Sequence, residues 1–107
     1  MTTIERIRAF NDARGWAKYH TPKNLGLAIA SEAGELCHAL RWLSPDHTFA
    51  IVDMDRVLDE LGDVMIFASI FADRLGWSVD AIIDRKISIN EDNHPARPDA
   101  PHSKEMR

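Results

Sequence analysis

The chain has a single cysteine, Cys37, and so cannot close an intrachain disulfide. It has no excess of positive charge: 13 Lys and Arg against 17 Asp and Glu give a net charge of −4 and a pI near 5.6. A general nucleic-acid binder, which needs a basic stripe to neutralise phosphates, is therefore not expected, and an anionic ligand would need a local solution such as a metal ion. No apolar run approaches the roughly 18 residues that span a bilayer, so no membrane partner is expected. The opening Met1-Thr2-Thr3-Ile4-Glu5 lacks the basic segment and apolar run of a secretory signal. With the lone cysteine, this points to a reducing, cytoplasmic setting. Runs of strand period are missing, and so are internal repeats of useful length.

What the chain has is helical spacing. At 107 residues it has material for one domain with one modest core. Thr2 and Glu5 form a possible capping box ahead of Ile4, Ile7 and Phe10, which predicts a first helix over about 3 to 18. Thr21 can cap a second helix with Pro22 at its first position, running to about Leu43 and ended by Ser44-Pro45. Residues 44 to 53 give mixed signals, a short helical turn or a lid. A third helix is expected from about Met54 to Leu75, stopped by Gly76, and a fourth from about Val79, capped by Ser78, to Glu91. The result is an all-α fold, a four-helix bundle: one helical domain over 1–93 and a Pro-rich, flexible tail over 94–107.

Two stretches break the apolar pattern of the middle helices: Ser31-Glu32-Ala33-Gly34-Glu35-Leu36 and Asp59-Glu60-Leu61-Gly62-Asp63-Val64, with 24 residues between Glu35 and Glu60. At about 100° per residue, Leu25, Ile29, Leu36, Leu40 and Leu43 share a stripe about 60° wide; Glu32 lies inside it and Glu35 at its edge. Glu60 and Asp63 project beside Phe67, Ile70 and Phe71 in the same way. An uncompensated buried carboxylate costs several kcal/mol, so these groups call for a cation or a proton. If the two helices lie antiparallel, four carboxylates meet, and their all-oxygen chemistry suits Mg²⁺, with Mn²⁺ as a substitute, rather than zinc. On the fourth helix Lys86 and Asn90, four apart on the apolar stripe, suit an anion such as a phosphate. A plainer reading makes Lys86 the salt-bridge partner of Glu32 or Glu60.

In order along the chain, Gly15-Trp16, Tyr19-His20-Thr21-Pro22-Lys23-Asn24-Leu25, Glu32-Ala-Gly-Glu35-Leu36, Trp42, Glu60-Leu-Gly-Asp63-Val64, Lys86-Ile-Ser-Ile-Asn90 and His94-Pro95 are present. This string resembles the MazG-like all-α nucleoside triphosphate pyrophosphohydrolases, over about residues 3 to 95, and is most similar to their short dCTP pyrophosphatase branch. The resemblance implies cleavage of (deoxy)nucleoside triphosphates between the α and β phosphates, to a monophosphate and pyrophosphate, as in clearance of non-canonical or surplus nucleotides. It implies Glu32, Glu35, Glu60 and Asp63 as Mg²⁺ ligands, with Glu35 and Glu60 as the catalytic candidates. Lys86 and Asn90 would hold the triphosphate. Trp16, His20, Lys23, Asn24 and Trp42 would complete the substrate site, where indole stacking suits any base. His38 stands where many relatives have a further acidic residue, and Ile7 where dCTP-hydrolysing ones have a histidine. Relatives of this kind are dimers or tetramers, and apolar residues on more than one face of the third helix also point to a homo-oligomer. Two other readings stand beside it. A di-iron or di-manganese bundle would want Glu-x-x-His pairs, which neither acidic pair supplies. A non-catalytic nucleotide-sensing or interaction module would bind without turnover.

Overall fold

The computed structural model describes residues 1–46 and 49–97. Four α-helices, α1 (Thr3–Arg14), α2 (Pro22–Leu40), α3 (Met54–Arg74) and α4 (Val79–Asn93), are joined by short 3₁₀ turns at Ala17–Tyr19 and Phe49–Ile51. There is no strand among the described residues, so the all-α expectation holds. The expected tail from 98 onward lies outside the described residues.

Helix starts follow the capping chemistry. The hydroxyls of Thr2, Thr21 and Ser78 accept from the backbone N–H groups of Glu5, Asn24 and Ala81 at 3.3, 3.3 and 3.1 Å, and Asp53 accepts from that of Arg56 at 3.3 Å. Each satisfies one amide that the helix itself leaves unpaired. The stops differ from expectation in two places. The first helix ends at Arg14, not near 18, because Gly15 turns left-handed at φ 66° and Trp16 donates its backbone N–H back to Asn11 at 3.1 Å. That is the glycine-terminated cap that a residue with a Cβ enters only at a cost. The second helix ends at Leu40 rather than Leu43, and Arg41 turns its guanidinium onto the His38 carbonyl at 2.6 Å. Gly76, at φ 81°, closes α3 as expected, with Trp77 donating to Ala72 at 3.0 Å. The fourth helix runs two residues beyond Glu91.

α3 is the hub. It packs along α2, and α1 and α4 each lean against it. Among the described residues Leu25, Ile70 and Ala72 are the buried apolar ones, Leu25 fully so, joined by Asn11. The radius of gyration is 17.0 Å, where a compact domain of this length has about 13 Å. Much apolar surface stays open as a result: Leu58, Leu61, Met65 and Ile66 of α3 and Ile82, Ile83 and Ile87 of α4 are exposed. No described helix is long and apolar enough to cross a membrane.

Arg8 ties α1 to the end of α3. Its Nε donates to Asp73 Oδ2 at 2.9 Å and its Nη2 to Oδ1, a two-pronged pair and the only ion pair among the described residues. The hydrogen bond from Arg8 holds the Asp73 carboxyl below its ordinary value. A carboxyl depressed in the fold stabilises it above the unfolded-state value, and that contribution is lost as pH falls through the folded one. Asp73→Asn is therefore expected to lower stability at neutral pH and to flatten the acid limb of the stability curve, the two proteins converging as pH falls below about 4. Urea melts between pH 2.5 and 7 would show it, and parallel curves for the two proteins would exclude it.

Candidate metal centre and adjoining cleft

Glu32 sits on α2, and Glu60 and Asp63 on α3, because the carboxylates fall within or beside the apolar stripes by which these helices pack. One carboxylate oxygen from each of the three lies within 4.8 Å of the others. Glu32 and Glu60 are half-buried and Asp63 is exposed, so the group is open on one side. The plainer salt-bridge reading does not hold. Among the described residues none of the three carboxylates has an ion-pair partner, and Lys86 is exposed on α4.

The charge is felt inside the cluster. Partial burial pushes the Glu32 carboxyl above its ordinary value, and repulsion from Asp63, Glu60 and Glu35, in that order, pushes it further. Three hard oxygen donors, close together, facing solvent and without a protein cation, fit a divalent ion of the Mg²⁺ or Mn²⁺ type that keeps part of its shell for water or ligand oxygens. Glu35, the fourth expected ligand, is exposed and falls outside the close group. It acts on Glu32 through its charge from one turn away.

Beside the carboxylates lies a cleft of about 290 Å³, lined by Trp16, Tyr19, His20, Asn24, Leu25, Ala28 and Phe67. Its position follows from the helix register. Glu32 is four residues after Ala28 on α2, and Asp63 is four residues before Phe67 on α3. The cleft and the carboxylates are therefore neighbouring turns of the same antiparallel pair, about 6 Å apart along the axis. Trp16, His20 and Asn24 were expected at a substrate site and are brought together here. Asn24 is partly committed, since its Nδ2 donates to the Tyr19 carbonyl at 2.9 Å and pins the turn that carries Tyr19 and His20.

The other expected residues lie elsewhere in the single chain. Lys23 is exposed and does not line the cleft. Trp42 is 82% exposed beyond the end of α2, with the Arg41 guanidinium 5.0 Å from its ring. Lys86 and Asn90 are exposed on α4. Ile7 lines a second and larger cleft, about 560 Å³, between α1 and the α3–α4 turn, together with Arg8, Asp73 and Trp77. Sequence reasoning missed Phe67 and Tyr19. Phe67 reads as a core aromatic, and the signal that marks it as more is its place one turn from Asp63.

Comparison with known proteins bears on the same residues. The profile of the MazG-like family matches residues 27–107, which include both acidic pairs. Human dCTP pyrophosphatase 1 is 30% identical over 98 residues, covering 87% of this chain and 58% of its own length. The rat protein of the same name is 29% identical over 97 residues, covering 86% and 57%. The chain thus spans a little under three fifths of the length of these relatives. Among solved structures, a pyrophosphatase from Archaeoglobus fulgidus superposes with a TM-score of 0.80 at 34% identity, over 87% of this chain and 89% of that one.

Proposed function

The chain belongs to the MazG-like family, and from that membership and the site's geometry we propose that it is a metal-dependent nucleotide pyrophosphohydrolase acting on (deoxy)nucleoside triphosphates. The observation that carries this reading is the adjacency of an aromatic cleft and an unpaired carboxylate cluster on neighbouring turns of α2 and α3. A nucleobase stacks against Trp16, Tyr19 and Phe67, with His20 at its edge, and the phosphates extend toward Glu32, Glu60 and Asp63. Without cations that placement would set anion against anion.

In this reading Glu32, Glu60 and Asp63 hold Mg²⁺ or Mn²⁺, and Glu35 completes the acidic set. When bound, the cation offsets phosphate charge and acidifies water. Glu35 is exposed and outside the close group, and in this reading it accepts the proton of the attacking water. Glu60, half-buried in the cluster, is the second catalytic candidate. The phosphoanhydride between the α and β phosphates breaks, water adds across it, and a monophosphate and pyrophosphate leave. Lys86 and Asn90 neutralise and bind the triphosphate tail, with Lys23 and Asn24 near the cleft. Clearance of surplus or non-canonical nucleotides in the cytoplasm is the role that suits such an activity.

The test is a panel of canonical and modified nucleoside triphosphates with Mg²⁺ or Mn²⁺ and a pyrophosphate readout. Release of pyrophosphate without orthophosphate, stopped by a chelator and restored by either ion, is the expected result. Metal-dependent nucleotide binding with no turnover of any triphosphate would instead make the protein a sensing module.

The exposed apolar rows on α3 and α4 support a homo-oligomer, a dimer or tetramer, and offer a reason for the exposure of Trp42, Lys86 and Asn90. Sedimentation equilibrium at micromolar concentration reads this directly. A stable monomer would overturn it.

A further inference from the structure

The cleft's outer wall is Trp16, and what holds Trp16 is a residue outside the cleft. Phe10, one turn before the end of α1, meets the Trp16 indole edge to face, with ring centroids 5.7 Å apart and planes at 71°. It is the sole aromatic pair among the described residues. The Phe10 ring is gripped in turn by Arg14, whose guanidinium carbon lies 3.5 Å from the ring centroid and whose Nη1 donates to the Phe10 carbonyl at 2.9 Å. Gly15, left-handed, reverses the chain so that the residue after it folds back onto α1. Phe10 is 49% exposed and Trp16 44% exposed. A half-exposed phenylalanine gains little from burial here, and it lines neither of the two clefts described above.

We propose that Phe10 is a positioning residue: clamped by Arg14, it fixes the orientation of the Trp16 ring and thereby the affinity of the cleft for a nucleobase. The inference rests on the nucleotide reading above. The physical reason is the directionality of edge-to-face packing, in which the electropositive rim of one ring seeks the electron-rich face of the other. An indole so held presents its remaining face to a base in one orientation, and the ordering cost is met before the ligand arrives. An indole released from Phe10 must be ordered on binding. The loss falls on nucleotide binding, because Phe10 touches neither the carboxylates nor the cleft interior.

The experiment uses the full chain with 5-fluorotryptophan at its three tryptophans, the Trp16 ¹⁹F resonance being assigned by its loss in Trp16→Phe. In Phe10→Leu, which keeps an apolar side chain but removes the ring, the Trp16 resonance is expected to move in the free protein. The Trp42 and Trp77 resonances stay put and report an intact fold. KM for a triphosphate substrate is expected to rise about two- to tenfold, the range given by the strength of one aromatic pair, with kcat within about twofold. Phe10→Tyr, which restores the ring, returns both readings to wild type. An unmoved Trp16 resonance in Phe10→Leu overturns the proposal, and so does a moved resonance with unchanged KM or a loss in kcat alone. If the wild-type protein hydrolyses no triphosphate, the hydrolase reading fails by itself. Phe10 is then judged by the Mg²⁺-dependent nucleotide Kd read from the same resonance, and absence of nucleotide binding sinks the proposal too.

Discussion

Asparagine in place of Asp63 is expected to lower pyrophosphate release by about a thousandfold or more while leaving the helices intact. The amide has the shape of the carboxylate but neither its charge nor its strength as a ligand. Losing one of three clustered oxygens weakens a cation that supplies several kcal/mol of charge stabilisation, and about 4 kcal/mol corresponds to about a thousandfold in rate. The structural cost is small because Asp63 is exposed on α3 and makes no ion pair among the described residues. The change also removes the largest of the charges that push on Glu32. Without divalent cation the variant is therefore expected to melt at or above the wild-type temperature. Glu60→Gln is expected to behave alike. Steady-state rates with parallel thermal melts separate a lost ligand from a damaged fold. Residual activity above about a tenth of wild type would show that this trio is not the metal clamp.

Divalent cation is expected to raise the melting temperature by an amount on the order of 10 °C at neutral pH. A ligand at a hundred times its Kd adds about 2.7 kcal/mol, and each kcal/mol moves Tm by about 4 to 8 °C in a domain of this size. The pH dependence follows from Glu32, whose carboxyl is raised in the fold by burial first and by its carboxylate neighbours next. A carboxyl raised in the fold disfavours folding above its folded-state value. As pH falls through that value the proton relieves the repulsion, and the relief is complete near the unfolded value of about 4.5. The metal-free protein is thus expected to gain stability from this group as pH falls, the reverse of the Asp73 effect. The increment from Mg²⁺ shrinks over the same window, since proton and cation compete for the same oxygens. Scanning calorimetry with Mg²⁺ or chelator at several pH values tests this. An increment that does not change with pH would detach the binding site from Glu32.

The acidic pairs were legible in the sequence because helical periodicity alone puts Glu32 inside a leucine stripe and Glu60 and Asp63 beside phenylalanines. That Glu35 stands apart is also periodicity: three residues on, it is rotated by about 60° from Glu32, toward the rim. The first helix was overrun because the apolar spacing carries through Gly15 to Trp16. The backbone bond from Trp16 to Asn11 shows that the same apolar residue after glycine is the mark of a helix stop. Lys86 was harder. Its own stripe is clear, but α4 packs on α3, and no pattern within α4 fixes its distance from Glu32 on α2. Nor could spacing reveal that Phe10 reaches Trp16, since the contact crosses a chain reversal.

The pairing of α2 with α3 has a consequence for how the molecule tolerates change. The register of Glu32 against Glu60 and Asp63 is carried by the packed faces of the two helices, not by the segment between Leu40 and Met54 that joins them. Closure entropy rises only slowly with loop length, about 0.6 kcal/mol for each doubling. That segment is accordingly where the chain can accept an inserted element, or be cut and given new termini, with the two halves of the site still finding each other.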